Sequence, residues 1–157
     1  MTRIHPALIC LGLAAVAAAG LAQAQTVSPP SLTQIVQARQ ASLEMSAVTF
    51  GEMKQAMDSG GDVKKQAFVA NALSDWSKVL PTMFPAGTGV GQVSIPTKAR
   101  PEIWTNRAVF ESRAADYAAA TAKLSQLAQA GDTPGFTAQL DVVKKACSAC
   151  HTDFQAR

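Results

Sequence analysis

Near its C-terminus the chain carries Cys147-Ser148-Ala149-Cys150-His151, a C-x-x-C-H run whose residue types allow four kinds of chemistry. Two thiols three positions apart on a helix project from the same side. They can form thioether bonds to the two vinyl groups of a haem while the neighbouring imidazole reaches the iron, the attachment pattern of haem c. A structural zinc site needs four ligands. Once an exported leader is removed, Cys147, Cys150 and His151 are the only cysteines and histidine left. A thioredoxin-like redox pair opens a helix after a strand, whereas this pair lies near the end of the last helical segment. A plain disulfide leaves His151 without a role. Spacing, helical placement and export together favour one covalent haem c per chain. A thiol oxidoreductase using Cys147 and Cys150 is the alternative from another class, and it requires titratable thiols and no visible absorption.

With one histidine in the mature chain, bis-histidine ligation within the chain is impossible, and the second axial position falls to a thioether, a weaker group or nothing. The mature thioethers are Met45, Met53, Met57 and Met83. Methionine in a bundle more often fills irregular gaps in the core.

The leader itself is legible. Arg3 gives a positive start, residues 7–19 are almost all Ala, Leu, Ile, Val and Gly, and Ala22-Gln23-Ala24 is a small-x-small cleavage site. The apolar run is shorter than the roughly 20 residues of a spanning helix, so residues 1–24 are expected to be cleaved, taking His5 and Cys10 with them. What remains, residues 25–157, has the length of one domain and no further stretch that could span a membrane. The expected location is periplasmic, soluble and oxidising. Hydrophobic residues make up 48% of the 157 residues and charged ones 16%, a globular balance. The formal charge of +3 includes Arg3, and so weak an excess excludes a dedicated nucleic-acid binder.

Four segments must position the motif, each with helical periodicity and with start and stop residues. The first is capped by Ser31, with Gln34 completing a capping box, and stops at Gly60-Gly61. Its expected inward face is Leu32, Ile35, Val36, Leu43, Ala47, Phe50, Met53 and Met57. Asp62 is expected to cap the second, which buries Val63, Ala67, Ala70, Leu73, Ser77 and Leu80 and ends at Pro81. Residues 81–99 read as a loop. Its Gly87-Thr88-Gly89-Val90-Gly91 run has the wrong spacing for a phosphate-binding fingerprint and reads as a flexible connection. The third segment opens at Pro101, runs unbroken through Ile103, Phe110, Ala114, Tyr117, Thr121, Leu124 and Ala128, and ends at Gly131. The fourth starts at Thr133-Pro134 and carries Phe136, Leu140, Val143, Cys147, Cys150 and Phe154 at the alternating four-and-three spacing of a bundle seam. Trp76, Trp104 and Tyr117 read as packing residues. Short connections within the first and second pairs make an all-α, antiparallel, up-down-up-down four-helix bundle.

With C-x-x-C-H at the end of such a bundle, the sequence resembles the class II c-type cytochromes of the cytochrome c prime type. Arg39-Gln40-Ala41-Ser42-Leu43 resembles their first-helix segment. Leu80-Pro81 through Phe84 to Gly87-Thr88, followed by Arg100-Pro101-Glu102-Ile103-Trp104, resembles their second-to-third helix connection, and the match runs through the whole mature chain.

The resemblance implies that Cys147 and Cys150 hold the haem and that His151 is the proximal iron ligand. It implies that Arg39 contacts a haem propionate with Gln40 beside the same edge, and that Leu43 covers the distal face. A propionate partner would answer the cost of an unpaired guanidinium on the inward face of its helix. Low-spin relatives ligate the iron with Met at the Leu43 position. Leucine has no lone pair to give, and Met45, two residues on, is rotated by about 200°, so a five-coordinate high-spin iron is expected. An apolar pocket under Leu43 favours NO and CO over O2, with Leu43 slowing their entry.

The chain is thus expected to be a haem protein for one-electron transfer and gas binding rather than an enzyme. The alternative within the family is a low-spin, Met-ligated electron carrier. The family usually has Arg or Lys where this chain has Gln155. Lys144-Lys145 are candidates for meeting an acidic redox partner protein, and the resemblance implies a homodimer through the first two helices, where Met53, Met57 and Phe68 are available.

Overall fold

The computed structural model describes residues 28–157, and the expected leader and its cleavage site lie outside the described residues. Helix α1 spans Leu32–Asp58, α2 Ala67–Val79, α3 Glu102–Thr105, α4 Arg107–Ala130 and α5 Thr133–Phe154. The four long helices pack as a ring in which α2 lies against α4, α4 against α5, and α1 against both α2 and α5. That is the expected four-helix bundle, and among the described residues no strand is present.

The ends follow local chemistry. Ser31 Oγ accepts from the Gln34 amide while the Ser31 amide donates to Gln34 Oε1 at 2.8 Å, so both halves of the capping box are made. Asp132 caps α5 through the Gly135 amide at 2.9 Å, and Gly131, at φ 77°, closes α4 in the left-handed region that glycine adopts without strain.

Three boundaries differ from the sequence expectation. Asp62 caps a 3₁₀ turn, Val63–Gln66, rather than α2 itself, so the chain tightens for one turn before the helix begins. At the other end Pro81 does not stop the chain's helical course. It sits in a second 3₁₀ turn, Leu80–Met83, where its missing N–H costs nothing at the first turn. The third segment is broken at Asn106, whose φ of −123° and ψ of 48° are not helical. The cause is tertiary: the Phe84 carbonyl accepts from Trp104 Nε1 at 3.1 Å and from Arg107 Nη1 at 3.4 Å, and Arg107 Nη2 reaches the Pro81 carbonyl at 3.2 Å. The kink lets donors on both sides of it meet the preceding loop.

The core lies among α2, α4 and α5. Phe110, Leu124, Phe136, Val143 and Ile103 are almost wholly buried, and Phe110 meets Phe84 and Phe154 edge to face. A buried hydroxyl pair, Ser77 Oγ and Thr121 Oγ1 at 2.8 Å, joins α2 to α4. The expected inward stripe of α1 is only partly realised. Val36, Arg39 and Met53 are its buried residues, Leu32 is 42% exposed and Ala47 is exposed. The reason is that the inner face of α1 looks onto an open cleft rather than onto packed side chains.

The Gly-rich run is not a flexible connection. Thr88 is fully buried, and a Cβ at Gly89 would lie 2.7 Å from the Trp104 ring, so glycine is what lets the loop lie flat on α3.

Candidate functional site

The cleft between α1, α4, α5 and the 84–99 loop holds two adjoining cavities of about 410 and 230 Å³, within the range of small-molecule and cofactor sites. Leu43, Leu80, Cys150 and His151 line both. Cys147 opens into the smaller, inner one, and Arg39 and Gln40 line the larger, outer one. All six residues singled out in the sequence therefore border one cleft, although they come from opposite ends of the chain.

Position on the helices explains the convergence. Arg39, Gln40 and Leu43 share one inner stretch of α1. Cys147 and Cys150 continue the buried stripe Phe136–Leu140–Val143 of α5 and are themselves half-buried, packed against the core edge. His151 follows on the exposed rim. The two thiols are free. Burial pushes the Cys147 thiol up, and the Cys150 thiol is pushed up to about 11 by burial first, then by Cys147 and Asp153. That is opposite to the lowered pKa of a redox-active thiol. Among the described residues no group of three or more His, Cys, Asp or Glu could hold a metal ion, so the zinc reading of the motif finds no fourth ligand.

Arg39 is 2% exposed. The sequence supplied a propionate to explain a buried guanidinium, and the structure supplies most of the answer internally. Nη1 donates to the Met83 carbonyl at 3.2 Å and to Thr88 Oγ1 at 3.1 Å, and Nη2 to the Thr88 carbonyl at 2.9 Å and Thr97 Oγ1 at 3.0 Å. The guanidinium also lies over the Phe84 ring, 4.3 Å from its centroid. Gln40 Nε2 adds a bond to the Pro96 carbonyl at 2.8 Å. Arg39 is thus a clamp between α1 and the loop. Every one of these partners is neutral, and burial lowers its pKa only to about 10, so its positive charge has no ion-pair partner among the described residues, Glu44 being the acidic side chain that lines the same cavity without bridging to it. An anionic edge fits there, an apolar body fits between Leu43, Ile103, Phe110 and Phe154, and paired thiols with one imidazole stand at the far wall. The donor set and the cavity fit a covalently attached haem.

Sequence reasoning missed the loop partners Thr88 and Thr97. The signal was present, since Thr88 stands between two glycines in a connection that must approach α1 and α3 closely. It also passed over Ser46 and Tyr117 as lining residues of the inner cavity. Gln155 pairs in an antiparallel bridge with Ala99, which brings Lys98 and Arg100 beside it. These two and Arg157 line a shallow cleft with His151, so cations surround the position where the family's basic residue is absent.

A helical bundle whose last helix presents a C-x-x-C-H run to an interior cleft has the architecture of the class II c-type haem proteins. The family model described as Cytochrome C' matches residues 34–155. Cytochrome c' of Rubrivivax gelatinosus is 31% identical over 125 residues, covering 78% of this chain and 94% of that one. Cytochrome c' of Alcaligenes xylosoxydans xylosoxydans is 32% identical over 128 residues, covering 78% and 93%. Among solved structures, the crystal structure of cytochrome c' from Rubrivivax gelatinosus superposes with a TM-score of 0.74 at 27% identity, covering 82% of this chain and all of that one. A nitric oxide complex of a variant of cytochrome c prime from Alcaligenes xylosoxidans does so with 0.73 at 26%, covering 83% and 100%. The chain belongs to the cytochrome c' family, whose members carry covalently attached haem c.

Proposed function

We propose that this chain is an exported periplasmic haem c protein, residues 25–157 after loss of residues 1–24, with a five-coordinate high-spin iron, one-electron redox activity and affinity for NO and CO. The observation that carries the reading is the wall around Leu43. Leu43 lines both cavities, and no methionine lines either. Met45 is 70% exposed, Met53 is wholly buried in the core, and Met83 sits in the 3₁₀ turn with its carbonyl committed to Arg39. The alternative of a low-spin, Met-ligated carrier therefore has no thioether at the cavity.

When bound, the haem supplies one-electron redox chemistry and an open coordination position for a diatomic gas. The chain's own residues do the rest. Cys147 and Cys150 anchor the group, His151 gives a single imidazole lone pair, Arg39 and Gln40 meet the anionic edge, and Leu43 covers the open side and admits only what can displace it. Support for a gaseous ligand comes from the nitric oxide complexes of two variants of one relative, cytochrome c prime from Alcaligenes xylosoxidans, at 26% identity. Of the residues expected at a dimer face, Met53 is wholly buried and Met57 half-buried, so the homodimer reading rests on Phe68 at 84% exposure together with the exposed apolar Met45, Val48 and Val79 of α1 and α2. Lys144 and Lys145 are exposed on α5 and suit the approach of an acidic redox partner. Among the described residues no helix is long and apolar enough to cross a membrane.

The test is an optical spectrum of haem-matured protein, oxidised, reduced, and reduced with NO or CO. A broad high-spin spectrum that shifts with gas is expected. A sharp low-spin spectrum indifferent to gas would refute the reading and move the chain to the Met-ligated carriers.

A further inference from the structure

The inner cavity beneath Leu43 is walled mostly by hydrocarbon, with Ala47, Phe50, Leu73, Ala114 and Val143 among its lining. Ser46, Arg113, Lys144 and Ser148 also reach its lining, and one hydroxyl residue there is buried. Tyr117 of α4 is 8% exposed and lines the cavity together with Cys147, Cys150 and His151. Ser46 of α1 and Cys147 of α5 line the same cavity. The Ser46 hydroxyl donates to the Ser42 carbonyl at 2.7 Å, which leaves its oxygen free to accept a hydrogen bond.

A phenylalanine ring would fill the same space without bringing a polar atom into an apolar wall. A buried hydroxyl is costly unless it finds a partner, and tyrosine is used where its O–H can reach one. Burial drives the phenol well above its ordinary pKa, which keeps it a neutral donor throughout the physiological range.

We propose that Tyr117 is a specificity-determining hydrogen-bond donor to the small ligand taken up beneath Leu43, with Ser46 accepting the hydroxyl proton when the cavity has no ligand. This rests on the gas-binding reading above and deepens it. The pocket then selects by polarity as well as by bulk, favouring diatomic ligands whose outer atom gathers negative charge. It modifies the expectation of a purely apolar pocket drawn from Leu43 alone.

The test uses haem-loaded, reduced protein with CO as the probe, reading the C–O stretching frequency by infrared and the CO dissociation rate. In Tyr117→Phe the stretch should rise and dissociation should quicken about two- to tenfold, the equivalent of one ordinary hydrogen bond. In Ser46→Ala, where the competing acceptor is gone, the stretch should move the other way. A merely structural tyrosine would leave the C–O frequency where it is. Equal frequencies and rates in wild type and both variants overturn the proposal. A wild-type protein with no C–O band overturns the gas-binding reading, and this inference falls with it.

Discussion

Arg39→Ala should be among the most damaging single substitutions in this chain. It removes four hydrogen bonds of 2.9–3.2 Å that tie α1 to the stretch between Met83 and Thr97. The acceptors on Met83 and Thr97 are half-buried and can regain water, so their share of the loss is small. The two on Thr88 are different, because Thr88 is fully buried. An unsatisfied buried acceptor costs about 1–3 kcal/mol, and loss of the stacking on Phe84 adds about 0.5–2 kcal/mol. The total expected is roughly 3–5 kcal/mol, against a whole-domain stability of about 5–15 kcal/mol. Urea unfolding of haem-loaded protein reads the global loss, and trypsin cleavage after Lys98 reads loosening of the loop itself. Arg39→Lys separates the clamp from a simple charge. Lysine keeps the positive charge but not the planar fork, so it should recover less than half of the loss. Two results would refute the reasoning: a loss below about 1 kcal/mol in Arg39→Ala, or full rescue by lysine, which would make charge toward the bound group the residue's whole contribution.

Leu43→Ala should speed CO and NO association about ten- to a hundredfold in stopped-flow mixing, since displacing a packed side chain costs roughly 1–3 kcal/mol. Unchanged rates would mean that Leu43 is not the gate, and Leu43→Met should instead produce a six-coordinate, low-spin spectrum. In haem-free protein at pH 8, with the Cys150 pKa raised to about 11, roughly one thiol in a thousand is ionised against about one in four for an ordinary thiol of pKa near 8.5, so on thiolate fraction alone iodoacetamide should alkylate it about two-hundredfold more slowly. The rate should climb as pH rises toward 11, and ordinary reactivity at pH 8 would revive the thiol oxidoreductase alternative. Phe68→Asp, on the exposed face of α2, should shift a dimer toward monomer in sedimentation while changing the spectrum not at all and stability by less than about 0.5 kcal/mol. A dimer untouched by this change and by Val48→Asp would place any interface elsewhere.

The helix ends were legible wherever a cap made the decision locally: Ser31 with Gln34, Gly131 and Asp132 mark boundaries that no distant contact alters. The stripes of α2, α4 and α5 were legible because those faces are packed on one another. Asn106 was not, because Ile103 and Phe110 keep helical spacing straight across the break and the bend answers to the Phe84 carbonyl, far away in sequence. The spacing singled out two cysteines and a histidine, and the structure sets all three on the cleft. Arg39 declared its importance but not its partners, since Thr88 and Thr97 lie in a loop without periodicity. Tyr117 was hidden by its own stripe: its ring obeys the core pattern, and only the cavity shows that it also lines the cleft.

The sparse anchoring of α1 bears on how the protein is matured. Helices α2, α4 and α5 bury their faces against one another, whereas α1 is secured by Val36, Met53, the half-buried Leu43, Phe50 and Met57, and the bonds of Arg39 and Gln40 to the loop. Swinging α1 aside breaks the Arg39 clamp but leaves the packing of α2, α4 and α5 on one another in place. That motion would uncover Cys147 and Cys150 along the inner cavity wall. If these are the sulfurs that take the haem, as proposed above, the expected order is a three-helix platform first, the thioether bonds second, and α1 closing last. Amide hydrogen exchange should accordingly be faster along α1 than along α4 before attachment, and the difference should shrink afterwards.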